Sequence, residues 1–126
     1  MGQLCYNNMV MENHKIILRP WGKEVIYLRE KNIWVKKINI KNGHRASLQS
    51  HKGRDETWIG LSGATKAIVG NKTKILKAGD IIKVKKGQKH RWAGVKNACV
   101  LEVAFGKLNE NDIFRYQDDY GRADKK

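Results

Sequence analysis

Apolar and polar positions alternate along this chain in short bursts. The segments EVIYLR, NIWVKKINI, TWIGLSG, TKAIV, TKIL, DIIKV, RWAGV and ACVLEVAF are rich in β-branched and aromatic residues. Turn signals separate them: Pro20-Trp21-Gly22, Lys41-Asn42-Gly43, Lys52-Gly53, Ser62-Gly63, Gly70-Asn71, Ala78-Gly79-Asp80, Lys86-Gly87 and Gly94. Turns at roughly 8- to 12-residue spacing, without sustained helical periodicity, predict an all-β sandwich or barrel. Gly70-Asn71, between TKAIV and KTKIL, reads as a two-residue hairpin. After Gly106 the pattern changes: Asn109 to Ile113 reads as a short helical turn, and Asp118 to Arg122 is polar. Residues 1–12 read as a flexible N-terminal segment, 13–122 as a single domain and 123–126 as a tail.

Several polar residues interrupt this pattern where a core strand would carry Val, Ile or Leu. Gln49 and His51 are two apart and share a strand face. A turn at Lys52-Gly53-Arg54 would return the chain antiparallel and bring Glu56 beside them on the neighbouring strand. His90 follows the glycine-bearing turn at Lys86-Gly87. Gln49, His51, Glu56 and His90 converging inside a barrel make a divalent-metal site of imidazole, carboxylate and amide donors. Asp55 competes with Glu56 as the acidic ligand, but the two face opposite ways in a strand. His14 and His44 read as surface or turn residues, and Trp21, Trp34, Trp58 and Trp92 as core.

Length and composition narrow the function classes. The 126 residues suit one domain, with 40% hydrophobic residues for a modest core. No apolar run approaches the roughly 18 to 20 residues that cross a bilayer. The N-terminus lacks a secretion-signal pattern, and Tyr6 stands where a myristoylation motif needs Ser or Thr. A cytoplasmic protein with no membrane partner is expected. Cys5 and Cys99 are too few for a disulfide framework, and Cys99, in an apolar run, reads as a buried thiol. The net charge of +14, from 26 basic and 12 acidic residues, attracts anions. The lysines are spread through the chain, and no helix-turn-helix, zinc-finger or RNA-recognition signature accompanies them, so specific nucleic-acid binding is not expected.

The polar spacing resembles the two motifs of the cupin superfamily. Gly43, Gln49, His51, Glu56 and Gly63 stand in register with the first, Gln replacing the commoner first His. Gly79, Gly87 and His90 stand in register with the second, with Lys85 where Pro is usual. The resemblance implies a double-stranded β-helix, or jelly-roll barrel. Residues 19 to 122 further resemble the cupin domain of type II mannose-6-phosphate isomerases, which is often fused behind a mannose-1-phosphate guanylyltransferase domain. The matching stretches are Arg19-Pro20-Trp21-Gly22, Ser47-Leu48-Gln49-Ser50-His51, Arg54-x-Glu56-x-Trp58, Gly87-x-x-His90-Arg91 and Glu102-Val103-x-x-Gly106. Asp112, Ile113, Arg115, Asp118 or Asp119, and Tyr120-Gly121-Arg122 close the match. No guanylyltransferase counterpart accompanies it, so that activity is not expected. The family's His-His-His-Arg-Ala-Glu-His-Trp is here His51-Lys52-Gly53-Arg54-Asp55-Glu56-Thr57-Trp58, and Ala104 replaces a commonly polar residue.

What the resemblance implies is aldose–ketose isomerisation of a sugar phosphate, with mannose 6-phosphate and fructose 6-phosphate foremost. One divalent ion would be needed (Zn first, then Mn, Co, Ni or Fe). Arg54, Lys52 and Arg122 are the candidate catalytic residues, and Lys52 or a metal-bound hydroxide would carry the proton. Arg19, Arg122, Lys85 and Lys89 are the phosphate candidates, because arginine's planar fork matches phosphate oxygens. A homodimer is expected, since strand-rich chains must cover their edges. Rival readings are another isomerase or an epimerase, an iron dioxygenase, and a cupin that binds a small anionic metabolite without chemistry.

Overall fold

The computed structural model describes residues 15–124. His14, Cys5, the 1–12 segment and its boundary with the domain lie outside the described residues, as does the end of the tail. Strand β1 (Lys15–Arg19) turns through Pro20-Trp21 into β2 (Gly22–Arg29), and β3 (Ile33–Ile40) runs back beside it. The chain continues through β4 (Leu48–Ser50), β5 (Arg54–Val69), β6 (Lys72–Leu76), β7 (Ile81–Val84), β8 (His90–Gly106) and β9 (Phe114–Gln117). All pairs are antiparallel in one curled sheet, and β8 is its hub. Along its length β8 pairs with β5, while β3 and β4 flank its opposite edge. Gly70-Asn71 is the expected hairpin, with Val69 opposite Lys72.

Three expectations change. TWIGLSG and TKAIV form one strand rather than two, as do RWAGV and ACVLEVAF. The glycines between them bend the strands instead of ending them. Gly63 lies at φ 66° in a stretch where the β5–β8 register slips repeatedly, opposite a further left-handed residue, Asn97 at φ 46°. Such bulges add twist and let a long strand wrap a barrel. A Cβ at position 63 would stand 2.0 Å from the Asn97 carbonyl oxygen. Gly63→Ala therefore combines a left-handed backbone with a backbone clash. It is expected to cost about 3 kcal/mol or more in urea denaturation; a loss below about 1 kcal/mol would show that the bulge relaxes freely.

Second, β4 and β5 are not hydrogen-bonded neighbours. They flank β8 on opposite edges, so Gln49 and Glu56 meet through the curl of the sheet rather than across a hairpin. Third, Asn109 to Ile113 forms one turn, closed by Asp112 N donating to Asn109 O at 3.0 Å, and then opens into β9, which pairs with β4.

The inner face divides along the strands. One end packs Trp21, Ile38, Ile40, Trp58, Val69, Leu76, Trp92 and Val100. Trp92 meets Trp58 at 4.8 Å and Trp21 at 5.6 Å between ring centroids, in tilted and edge-on contacts. Toward the other end the same strand faces turn polar: Lys36 continues the buried run of β3, Glu102 that of β8, and Arg54 and Glu56 that of β5. Cys99 is a buried free thiol, as read from the sequence.

Candidate metal centre

Three buried side chains meet where β5, β8 and the end of β4 converge. The ligand atoms of His51, Glu56 and His90 all lie within 4.8 Å of one another. His51 is 3%, Glu56 2% and His90 1% exposed. Each imidazole is oriented through its far nitrogen. His51 Nδ1 donates to the Asp112 carbonyl oxygen at 2.6 Å, and His90 Nδ1 donates to the Gln88 carbonyl oxygen at 2.8 Å. Both protons are thereby placed on Nδ1, and both Nε2 lone pairs are turned toward Glu56. Trp58 packs edge-on against His90, and its Nε1 donates to Glu56 Oε1 at 2.9 Å.

Buried His90 Nε2 has no hydrogen-bond partner. A buried lone pair without a donor is costly in a protein interior, and a cation beside Glu56 would satisfy it. The donor set fits a divalent ion on this ground: two preoriented imidazoles and one carboxylate. Gln49, opposite His90 across the β4–β8 ladder, holds its amide 3.4 Å from His51 Nε2. Ser47 Oγ donates to Gln49 Oε1 at 2.6 Å. A half-turn of that amide presents its oxygen to the same centre, since a hydroxyl can accept as well as donate.

Burial pushes His51 down to about 4 and His90 also below its usual range, so both are neutral at pH 7. Burial opposes ionisation of Glu56, but His90, Arg54, His51 and the Trp58 indole outweigh it and hold the carboxyl below its ordinary value. Arg54 is the permanent cation of this group. Its Nε donates to Glu56 Oε2 at 2.9 Å and its Nη2 to His51 Nε2 at 3.0 Å.

A cavity of about 390 Å³ opens beside this centre, lined by Gln49, His51 and Arg54 together with Arg19, Glu24, Trp34, Lys36, Glu102, Arg115 and Arg122. Glu56 and His90 lie deeper and do not line it. Of the residues singled out from the sequence, Gln49, His51, Arg54, Arg19 and Arg122 reach this cavity, whereas Lys52, Lys85 and Lys89 do not. Lys52 is exposed, its backbone N donating to Asp112 Oδ1 at 2.8 Å. Lys85 is exposed on the turn closed by Gln88, and Lys89 Nζ sits 4.3 Å from the Tyr116 ring centroid. Asp55 is exposed and caps Lys86 N at 2.9 Å, which removes it as a ligand. His44 stacks on Tyr120 and shares a 2.8 Å hydrogen bond with its hydroxyl, a packing role.

Two other cavity residues, Arg115 and Glu102, entered the sequence reading only as part of the family match, with no role assigned. Arg115 carries a buried Nε without a partner, and burial followed by repulsion from Arg122 lowers its pKa. Glu102 is buried, and desolvation, then the Glu56 charge, pushes its carboxyl up to about 8. Its signal was legible: in VLEVA the carboxylate falls in the same period-two register as buried Val100 and Ala104.

These groups set a pH dependence for the metal-free protein. His51 and His90, depressed in the fold, add stability that is complete above their ordinary value of 6.5 and is lost for His51 as pH falls toward about 4. Glu102 acts oppositely: raised from 4.5 to about 8, it loses stability as pH rises through that window. Stability of the metal-free protein should therefore peak near the ordinary histidine value of 6.5 and fall by on the order of a few kcal/mol toward alkaline pH. Denaturant midpoints in metal-free buffer check this, with Glu102→Gln expected to flatten the alkaline limb.

Residues 6–118 match the family model described as mannose-6-phosphate isomerase C-terminal. The chain is 36% identical over 115 residues to mannose-1-phosphate guanylyltransferase 2 of Escherichia coli O157:H7, covering 89% of this chain and 24% of that protein. It is also 36% identical over 115 residues to the alginate biosynthesis protein AlgA of Pseudomonas aeruginosa, with the same coverages of 89% and 24%. The chain thus spans about a quarter, 24%, of the length of these curated relatives. Among solved structures, the Streptomyces nucleoside dehydratase Pac13 superposes with a TM-score of 0.73 at 14% identity, over 85% of this chain and 88% of that one. A Bacillus subtilis oxalate decarboxylase superposes with a TM-score of 0.70 at 16% identity, over 82% of this chain and 30% of that one. An RmlC-like cupin of Shewanella frigidimarina gives 0.67 at 20% identity, over 79% and 89%. At these identities the structures establish the cupin fold alone.

Proposed function

The chain belongs to the mannose-6-phosphate isomerase C-terminal family, and on that premise we propose that it is a metal-dependent sugar-phosphate isomerase interconverting mannose 6-phosphate and fructose 6-phosphate. The observation that carries this is one cavity joining a metal centre to an arginine cluster. Its wall includes His51 and Gln49 and also Arg19, Arg115 and Arg122.

A divalent ion held by His51, Glu56, His90 and Gln49 supplies, when bound, a Lewis acid for the carbonyl and hydroxyl oxygens of an open-chain sugar. Arg54 adds a fixed cation where negative charge develops on those oxygens. Arg122 is aimed by Asp118, which accepts from its Nε at 2.8 Å and its Nη2 at 2.9 Å. With Arg115 it offers a phosphate two guanidiniums and one intervening carboxylate, a net positive site. Trp34 closes the wall and is flanked by the Lys36 and Arg54 cations at 4.9 and 5.4 Å from its ring centroid. The reading extends to pairing of two copies. Strand β1 ends the sheet among the described residues, with Ile16 and Leu18 exposed on it.

The test is turnover. Metal-stripped protein, reconstituted with Zn, Mn, Co or Ni, is given mannose 6-phosphate and fructose 6-phosphate. Metal-dependent interconversion is the expected result. Full metal occupancy without turnover of either sugar overturns the isomerase reading and leaves a cupin with another substrate or a binding role.

A further inference from the structure

Isomerisation between adjacent carbons needs a group that takes a proton from one carbon and returns it to the other. His51 points Nε2 at the metal centre and has its other nitrogen occupied by a carbonyl. Glu24 is bound by Arg19 at 2.7 Å and by Lys36 at 3.0 Å, which also engages Lys36. Glu110 lies in the outer wall, half-exposed and paired with Arg29 at 3.0 Å. Glu102 remains. Of the three buried glutamates, Glu24 and Glu56 are held in hydrogen bonds, whereas Glu102 enters none among the described residues.

The ladder places Glu102 next to the metal centre. It pairs with Trp58 across β5 and with Lys36 across β3. Glu56 stands opposite Ala104, so Glu102 and Glu56 are diagonal neighbours on the inner face, a relation that spans roughly 7–8 Å between backbones. Position 104 carries only a methyl group between Trp34 and Glu56, so no bulky side chain fills that rung. A buried carboxyl that is unpaired, faces the cavity and lies one rung from the metal ligands has the placement a proton carrier needs.

We propose that Glu102 is the catalytic acid–base that carries the proton between the two sugar carbons. The inference rests on the isomerase reading above. In its ionised form Glu102 takes the C2 proton of the open-chain aldose. The C2–H electron pair becomes the C1–C2 double bond, and the carbonyl π pair moves onto O1. Glu102 then returns the proton to C1 while the O2 hydroxyl proton moves to O1. The sum is aldose to ketose, with no net change in protons or electrons. The surroundings suit a proton carrier. Burial makes the bare charge costly, Glu56 and more weakly Glu24 add to this, and Lys36 and Arg54 oppose it. In the metal-free protein the carboxyl is raised to about 8, so this group can hold a proton as well as release one.

The experiment compares wild type with Glu102→Gln and Glu102→Asp, all loaded with the same metal and given mannose 6-phosphate deuterated at C2. Glu102→Gln is expected to lower kcat by about 10²- to 10⁴-fold, with metal stoichiometry and sugar-phosphate affinity unchanged. It should also stop the wash-out of deuterium into water, and Glu102→Asp should restore part of both. A Glu102→Gln protein with kcat within about threefold of wild type overturns the proposal, as does a loss of rate that tracks lost metal or lost folding. If wild type itself leaves both the sugar and its deuterium untouched, the isomerase reading falls and takes this assignment with it.

Discussion

Glu56→Gln is expected to abolish stoichiometric divalent-metal binding and all turnover. Glu56 is the sole anion among the four proposed ligands, and its removal would leave two neutral imidazoles and two amides around the ion. A unit charge at about 4 Å is worth about 4 kcal/mol at an effective dielectric near 20, on the order of a thousandfold in metal affinity even before the ion's second charge is considered. The same substitution strands Arg54, whose guanidinium bonds Glu56 Oε2 at 2.9 Å in a pair that is 9% and 2% exposed. Breaking a buried pair in this way costs about 3–5 kcal/mol, so lower thermal stability should accompany the lost metal. Glu56→Asp separates the two effects. It keeps the charge and should retain some metal and most of the stability. Metal content after dialysis, read beside the denaturation midpoint, is the check. A Glu56→Gln protein that still binds one equivalent of zinc would show that the carboxylate is not a ligand.

The second large effect lies at the other end of the cavity. Arg122→Ala and Arg115→Ala are each expected to raise KM for mannose 6-phosphate by about 10- to 100-fold while kcat changes little. Hydrogen bonds to charged groups contribute about 1.5–3 kcal/mol, and about 1.4 kcal/mol is tenfold. The physical reason is unrelieved repulsion. Burial and Arg122 disfavour the Arg115 charge, with Arg19 adding to this, and Arg115 Nε lacks a partner; a phosphate dianion would answer both. Calorimetry with inorganic phosphate and with mannose separates anion binding from sugar binding. Phosphate affinity should fall in both variants and mannose affinity should not. Unchanged phosphate affinity in both variants would remove the arginine cluster from the substrate site. Asp118 holds Arg122 in place, so Asp118→Asn should lower phosphate affinity less than Arg122→Ala does.

The members of the buried His51, Glu56 and His90 cluster were legible in the sequence because each stands at a fixed step from a glycine-bearing turn. Gln49 and His51 share a face by strand periodicity, and glycine-bearing turns position Glu56 and His90. Such spacings survive whatever the barrel does around them. The all-β class was legible for the same reason, through turn spacing and β-branched segments. Charge and proximity in sequence do not say which way a long side chain leaves a turn. Lys52 adjoins His51, yet it leaves the Asp112-capped turn outside the cavity.

The alternation that marks strands and the shared face of Gln49 and His51 are written in residues a few positions apart. Tertiary structure alone decided the rest. Whether Ser62-Gly63 ends a strand or bends it depended on Asn97 meeting Gly63 across β5 and β8. The acceptor that orients His51 is a backbone carbonyl 61 residues away, at Asp112, which no side chain announces. Glu102, Lys36 and Arg54 share a chamber through the pairing of β3, β8 and β5. Their charges act on one another because folding removes the water that separates them in the open chain.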